Sequence, residues 1–152
     1  MKPEETIDFH IRWAWYKISR LYNQAADRYG STMSVGYLLL NIDPEEGTPS
    51  TKLGPKMGME SRSLTRTINS VEEKGLISRV SDPDDKRMVR LFLTEEGKRY
   101  REEAREVVIH FNETVKKEFT KEELQQFFHI MDKLKHILDT KTLFDHEQTQ
   151  YP

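Results

Sequence analysis

Hydrophobic residues recur at helical spacing near the start of the chain. Over residues 7–29, apolar side chains return every three or four positions, which is typical of one long amphipathic helix. Thr6 can cap the beginning of this helix and Gly30 can end it. A shorter apolar run predicts a second helix over residues 34–41, before a segment that proline and glycine interrupt.

The middle of the chain carries two more helical patterns, one on either side of a glycine. Ser50 or Thr51 can cap a third helix that runs to residue 57, and Gly58 ends it. A fourth helix is predicted over residues 60–74, with Gly75 placed where a left-handed backbone conformation is needed. Its apolar positions recur at helical spacing and define one buried face, made of Leu64, Ile68 and Val71.

After residue 75, apolar residues recur at roughly every second position, and no longer at helical spacing. Residues 76–81 and 88–93 are predicted to be two strands, joined by the turn-rich sequence DPDDK. Thr94 opens a long helix to about residue 119, and Thr120 with Glu123 forms a capping box for a last helix that runs to residue 139. This order of elements predicts a mainly α (α+β) fold, a winged helix-turn-helix between long terminal helices.

We expect a single domain over residues 1–152, with the winged helix-turn-helix lobe at residues 34–93. The long helices at residues 5–30 and 95–139 are expected to form a homodimer, because two aromatic-rich stripes are hard to bury inside one small subunit. A monomeric core is the alternative. The candidate interface residues are Ile11, Trp15, Ile18, Val107, Val108, Phe111, Phe127, Phe128, Met131 and Leu134.

The outer face of the fourth predicted helix carries hydrogen-bond donors suited to double-stranded DNA. Arg62 and Arg66 lie one turn apart, and an arginine can bind guanine O6 and N7 together in the major groove. The serines at its start suit phosphates, as do the amides of the helix N-terminus. A solvated helix surface is the alternative interpretation of the same residues. The donors are Ser61, Arg62, Ser63, Thr65, Arg66 and Asn69.

The predicted hairpin has a tip with both signs of charge, which comprises Asp82, Pro83, Asp84, Asp85, Lys86 and Arg87. We expect Arg87 to enter the minor groove, where a narrow groove attracts arginine. Asp85 is expected to brace Arg87 or Arg90, and Lys86 and Arg90 are counted among the DNA-binding residues. An ordinary surface turn that begins with Asp-Pro is the alternative.

Five short motifs follow one another through this region. They are Thr65-Arg66, the run Glu72-Glu73-Lys74-Gly75-Leu76-Ile77, Arg79, the wing pattern Asp82-Pro83-x-Asp85-x-Arg87, and Leu93-Thr94-x-x-Gly97. In this combination the chain resembles the MarR family (multiple antibiotic resistance regulators) of bacterial transcription factors. The resemblance implies a homodimer that binds a pseudo-palindromic operator, as a repressor that loses DNA affinity when a small ligand or an oxidant acts.

Two positions depart from the family pattern. Glu60 stands where the family has a Ser or Thr cap, although an acidic residue near a helix N-terminus still suits the helix dipole. Gly54-Pro55 replaces an alanine-rich third helix, and Pro55 is expected to bend or shorten that helix. The spacing of the third and fourth helices, and hence the base contacts, depends on this change.

Charge and composition narrow the function. The net charge is −2, but residues 50–99 hold 11 Lys and Arg against 8 Asp and Glu, so only the middle third is cationic. The chain has no cysteine, which excludes a thiol switch. No apolar run is long enough to cross a membrane and no secretory signal is visible, so we expect a cytoplasmic protein. We predict no metal and no cofactor, since His110, His129 and His136 suit surface positions better than a metal site.

A pocket between the DNA-binding lobe and the terminal helices could hold an aromatic or acyl effector. Its candidate lining residues are Trp13, Tyr16, Arg20 and Tyr37, although aromatic residues at such positions are more often core. Catalysis is not expected, because the chain has no nucleophile elbow, no His-Glu-x-x-His motif and no phosphate loop. The rival function is a winged-helix protein-interaction module without DNA binding, which the polar face of residues 60–74 disfavours.

Overall fold

The computed structural model describes residues 1–82 and 85–141, which form two compact units. The first unit ends at Ile109 and the second begins at His110. The helices are α1 (Ile7–Asp27), α2 (Met33–Asn41), α3 (Ser50–Met57), α4 (Ser61–Glu73), α5 (Glu95–Lys116) and α6 (Lys121–Thr140). The strands are β1 (Thr48–Pro49), β2 (Ile77–Ser81) and β3 (Val89–Leu93). The predicted fold class is confirmed, and the prediction that residues 1–152 form a single domain stays a prediction.

The start of α1 differs in detail from the prediction. Thr6 stands at the N-cap position, but its hydroxyl donates to the Pro3 carbonyl at 2.9 Å and caps no helical N–H. This contact exists because Pro3–Glu5 form a short 3₁₀ helix immediately before α1. At the other end α1 stops at Asp27, and a turn carries the chain to Gly30, whose φ of 62° is left-handed.

Pro55 lies inside α3 and does not shorten it. The helix reaches Met57 as predicted, and Gly58 ends it with a φ of 61°. The Met59 amide donates to the Gly54 carbonyl at 3.1 Å, which closes the turn after the proline. Pro55 has no N–H to donate to the Thr51 carbonyl, so the helix loses one hydrogen bond there. The bond from Met59 holds the last turn of the helix. Pro55 was expected to bend or shorten the helix; it does not shorten it, and the bend stays a prediction.

The sheet has a third strand that the sequence pattern did not predict. The strand order is β1-β3-β2 and both pairs are antiparallel. Thr48 lies opposite Leu91, and Ile77 lies opposite Leu93. β1 has only two residues and one of them is Pro49, which is tolerated because β1 is an edge strand. The sequence did not predict β1 because two residues are too few to show the alternation of apolar and polar side chains that indicates a strand.

The turn before β1 is held by one carboxylate. Asp43 accepts backbone N–H groups from Glu45 at 2.9 Å and from Glu46 at 2.8 Å. These bonds, the one from Glu46 first, lower the pKa of Asp43. The turn delivers Gly47 to β3, where a Cβ would lie 2.7 Å from the Leu91 carbonyl oxygen.

The hydrophobic core belongs to the winged-helix lobe of the first unit. α2, α3 and α4 contribute one face each, and the sheet contributes the residues that close the core on the other side. All three residues predicted for the buried face of the fourth helix are in it. The core comprises Val35, Leu38, Leu39, Ile42, Leu53, Met57, Leu64, Ile68, Val71, Leu76, Ile77, Leu91 and Leu93.

The joint between the sheet and α5 depends on close backbone contact. The Thr94 hydroxyl accepts the Gly97 amide at 3.0 Å and donates to the Gly75 carbonyl at 2.7 Å. A Cβ on Gly97 would overlap the Leu76 carbonyl. Thr94 and Gly97 therefore let the first turn of α5 lie against the end of the α4–β2 turn.

The second unit contains the end of α5 and all of α6. The predicted capping box of α6 is confirmed, since Thr120 accepts the Glu123 amide at 3.2 Å and Glu123 accepts the Thr120 amide at 2.8 Å. α6 has no buried residue. Its aromatic side chains Phe127 and Phe128 are about half exposed, at 55% and 52%.

Candidate nucleic-acid interface

Helix α4 is divided cleanly into an apolar and a polar side. Leu64, Ile68 and Val71 face the core, and the opposite side is exposed. This division follows from the helical repeat, since the apolar residues recur every three or four positions. Every donor predicted on this helix lies on the exposed side, namely Ser61, Arg62, Ser63, Thr65, Arg66 and Asn69.

The first turn of α4 is held by the backbone and not by a side-chain cap. Glu60 occupies the N-cap position without a side-chain bond to the helix, so it does not replace the Ser or Thr cap of the family pattern. The Thr65 hydroxyl donates to the Ser61 carbonyl at 2.8 Å. That hydroxyl therefore presents its acceptor lone pairs outward. The amides of the first turn remain directed out of the helix end.

Arg62 and Arg66 are the cations at the centre of this face. They lie four residues apart, so one turn separates them on the same side of α4. Both are exposed, and within residues 1–82 and 85–141 neither guanidinium forms an ion pair. Both groups are thus available to an anionic partner.

Arg79 on β2 was absent from the predicted donors, and the structure ties it to α4. Its Nη2 donates to the Asn69 Oδ1 at 2.5 Å, and its Nε lies 3.0 Å from the Glu72 Oε2. Asn69 therefore keeps only its amide nitrogen for an outside acceptor. The position of Arg79, in the middle of the strand that follows α4, was the available signal that it joins these two elements.

The base of the wing is organised by an ion pair that the sequence prediction assigned differently. Asp82 is 3% exposed, and its Oδ2 lies 3.1 Å from both Nε and Nη2 of Arg90. The Arg90 Nη1 also donates to the Glu46 carbonyl at 3.1 Å. Asp82, and not Asp85, braces Arg90. Arg90 was predicted to contact DNA, but its guanidinium is used to join the wing to the turn before β1.

The wing tip places two cations in solvent. Asp85 accepts the Arg87 backbone amide at 2.9 Å, so it orients the Arg87 main chain and not its guanidinium. Lys86 and Arg87 are both exposed. Neither forms an ion pair with any residue in the described part of the chain. Pro83 and Asp84, which belong to the predicted tip, lie outside the described residues.

A cavity of about 150 Å³ lies in the first unit, bounded by α1, α2, the turn between them and the first part of α5. Aromatic and aliphatic side chains form most of its wall. The lining residues are Trp15, Tyr22, Ala26, Tyr29, Ser31, Thr32, Met33, Gly36, Tyr37, Leu39, Leu40, Tyr100, Glu103, Ala104, Val107 and Val108.

Only Tyr37 of the four predicted pocket residues lines this cavity. The prediction for Trp13, Tyr16 and Arg20 was wrong because it chose the wrong side of α1. Consecutive residues of a helix are about 100° apart, so these three lie about 100–160° around α1 from the side that carries Trp15 and Tyr22. They are occupied elsewhere: Lys17 lies over the Trp13 ring and Arg20 over the Tyr16 ring, at 5.4 and 5.9 Å from the ring centres.

Two phenols in the cavity are neighbours. Burial raises the pKa of Tyr22 above its usual value of 10.0, and the nearby Tyr37 adds to the increase. The Tyr22 hydroxyl is therefore uncharged at neutral pH. Tyr100 donates its hydroxyl to the Tyr29 carbonyl at 3.2 Å, which joins α5 to the turn after α1.

In residues 1–82 and 85–141, no group of three or more His, Asp or Glu side chains could hold a metal ion. The helices of the same residues include none long and apolar enough to cross a membrane.

A helix pair followed by a two-stranded wing defines this chain as a winged helix-turn-helix protein. Residues 32–89 match the model of the MarR family, in keeping with the resemblance that the sequence motifs indicated. The match extends from the start of α2 to the start of β3 and includes the exposed face of α4.

Solved structures of similar fold extend the likeness over most of the chain. The PcaV transcriptional regulator from Streptomyces coelicolor, in complex with its natural ligand, is 21% identical, with 90% of this chain and 96% of that chain covered at a TM-score of 0.74. S. aureus MepR in a DNA complex is 18% identical, with coverage of 86% and 97% and a TM-score of 0.80. CouR from Rhodococcus jostii RHA1, bound to p-coumaroyl-CoA, is 20% identical, with coverage of 95% and 99% and a TM-score of 0.76.

Proposed function

We propose that this protein is a sequence-specific DNA-binding transcriptional regulator. The observation that carries the proposal is that four exposed cations, two on α4 and two at the wing tip, have no ion-pair partner in the described residues. They are Arg62, Arg66, Lys86 and Arg87. In the proposed complex, α4 would enter the major groove and the wing the adjacent minor groove.

The division of labour among the other polar groups supports this proposal. Ser61, Ser63 and the first-turn amides of α4 would bind phosphates and set the register on the duplex. Arg66 and Arg62 would read base edges, with Asn69 and Thr65 beside them. Asp85 and Arg90 would act indirectly, by holding the wing. The similarity of the fold to MepR, which was solved with DNA, is in keeping with this arrangement.

We further propose that the regulator is a homodimer on a pseudo-palindromic operator. Two recognition helices must lie about 34–36 Å apart to enter successive major grooves. Helices α1 and α6 have no buried residue, although each carries large apolar side chains. A second copy would cover these faces and set the distance between the two α4 helices.

We also propose that the protein is a ligand-responsive repressor in the cytoplasm of a bacterium, and the cavity supports the response to a ligand. It contacts α2, which packs against α4, so a ligand there would act on the element that supports the recognition helix. PcaV and CouR, which share the fold, were solved with small molecules bound. The rival function, a protein-interaction module, would need an apolar outer face on α4, and the exposed side of that helix is polar.

Selection of bound sequences from random duplex DNA tests the proposal. We expect an inverted repeat whose half-site centres are about one helical turn apart, with affinity that falls steeply as salt increases. The selected duplex and a scrambled duplex would then be compared by fluorescence anisotropy. Equal affinity for both, or no binding to either at low ionic strength, would contradict the proposed function.

A further inference from the structure

We propose that the cavity bounded by α1, α2 and α5 binds a small aromatic cation, with Glu103 as its counter-ion. The inference rests on the proposed function for its regulatory meaning, since the ligand would be the effector of the regulator. The binding itself can be measured without DNA.

The size of the cavity limits the ligand to about one ring. Its volume is about 150 Å³, and an engineered protein cavity of about this volume binds benzene. A ring with one short substituent fits this space. A larger ligand would have to extend out of the cavity into solvent.

The walls favour a ring and tolerate a positive charge. Trp15, Tyr22 and Tyr37 bring aromatic rings to the cavity, and Met33 and Leu40 add aliphatic surface. Aromatic faces attract ammonium groups by about 0.5–2 kcal/mol, with the larger values in sites from which water is excluded.

Glu103 determines which sign of charge the cavity prefers in its ligand. Among the described residues that line the cavity it is the only Asp or Glu, and none is Lys, Arg or His. Its nearest acidic neighbour along α5, Glu102, pairs with Arg105, whereas Glu103 has no ion pair within the described residues. A carboxylate ligand would meet this negative charge without a compensating donor of positive charge, and a cation would neutralise it.

Three ligands of nearly equal size separate charge from shape: benzylammonium, benzyl alcohol and benzoate. The chain has two tryptophans, and Trp13→Phe leaves Trp15, which lines the cavity, as the fluorescent reporter. In this background we expect benzylammonium to bind about tenfold more tightly than benzyl alcohol, and benzoate to bind most weakly.

Substitutions of Glu103 test the counter-ion. Glu103→Gln keeps the shape and should reduce the preference for benzylammonium over benzyl alcohol to about twofold or less. Glu103→Lys should reverse the order in favour of benzoate. Glu106→Gln is the matched control, because Glu106 is exposed on the same helix and does not line the cavity, so the order of the three ligands should not change.

Three results would overturn the inference: benzoate binding as tightly as benzylammonium, an unchanged preference in Glu103→Gln, or no saturable change of Trp15 fluorescence with benzylammonium. DNA binding, measured on the same samples by anisotropy, separates the two proposals. A protein that binds the cation but no duplex would refute the regulator and keep the cavity assignment. A protein that binds DNA but shows no preference among the three ligands would refute the cavity assignment and keep the regulator.

Discussion

At the scale of single residues, cations that look equivalent in the sequence divide into two groups in the structure. Arg79 and Arg90 form ion pairs within the fold, whereas Arg62, Arg66 and Arg87 do not within the described residues. The sequence could not separate these groups, because Asp82 and Asp85 both lie within eight residues of Arg90 along the wing. Only the strand register shows that Asp82 leaves β2 beside Arg90.

The exposed guanidinium of Arg66 is expected to contribute directly to operator binding. Arg66→Ala should lower the affinity for the selected operator by roughly tenfold or more, because a bidentate arginine–guanine contact is worth about 1–3 kcal/mol. Fluorescence anisotropy measures the loss. Arg12→Ala removes an exposed cation from α1 and serves as the control, with little change expected. An unchanged affinity of Arg66→Ala would remove this residue from the interface.

The Arg90–Asp82 pair is expected to contribute to stability. Arg90→Leu leaves the buried Asp82 carboxylate without its cation, which should reduce the free energy of unfolding by about 3 kcal/mol in urea denaturation. Arg79→Leu is the comparison: its ion pair with Glu72 has side chains 38% and 40% exposed, so the cost should be about 1 kcal/mol or less. Equal losses in the two variants would show that burial of the pair is unimportant.

At the scale of elements, the sequence predicted those elements with a strong repeat and missed those without one. The repeat of Leu64, Ile68 and Val71 identified the buried face of α4 correctly. β1 was missed because it has only two residues, and only their pairing with β3 identifies them as a strand. The cavity-facing side of α1 was misplaced because Trp13 and Trp15 make the helix apolar on two sides, and only packing against α2 selects one of them.

The joint between the α4–β2 turn and α5 depends on the absence of a side chain at Gly97. Gly97→Ala should cost about 2 kcal/mol or more, because the new Cβ would overlap the Leu76 carbonyl and force the helix away from the turn. Gly54→Ala is the control in a helix: its Cβ would meet the Leu64 side chain at 3.4 Å, an ordinary contact. Because alanine has a higher helix propensity than glycine, Gly54→Ala should leave the free energy of unfolding unchanged or raise it by up to about 1 kcal/mol. Thermal unfolding of both variants measures the difference, and a neutral Gly97→Ala would contradict the close contact.

The wing is expected to act on DNA through phosphate charge. Arg87→Ala should reduce the slope of log affinity against log salt by about one, because one fewer counter-ion is released. Arg99→Ala also removes one positive charge, but from α5, where Arg99 pairs with Glu96. Titrations at several salt concentrations should therefore show the smaller slope only for Arg87→Ala. Parallel slopes for the wild type and Arg87→Ala would place the wing away from the duplex.

At the scale of the whole molecule, the distribution of exposed apolar side chains favours assembly. The winged-helix lobe buries its own core, but the terminal helices do not bury theirs. Ile7 on α1 is 67% exposed, and Ile130 and Leu138 on α6 are 61% and 57% exposed. Such surface on helices is typical of an interface between subunits. The sequence pattern indicated apolar stripes on these helices, and the second copy that would cover them stays a proposal.

Sedimentation of the purified protein tests the homodimer directly. A chain of 18.0 kDa should sediment at micromolar concentration as a species of twice that mass. Phe128→Glu places a charge on the exposed apolar side of α6, so it should shift the protein toward monomer and weaken operator binding together, because one recognition helix alone loses the second half-site. Gln126→Glu adds the same charge at an exposed polar position of α6 and should leave both properties unchanged. A stable wild-type monomer that still binds the full operator tightly would contradict the dimer, and with it the argument that α1 and α6 set the spacing of the two α4 helices.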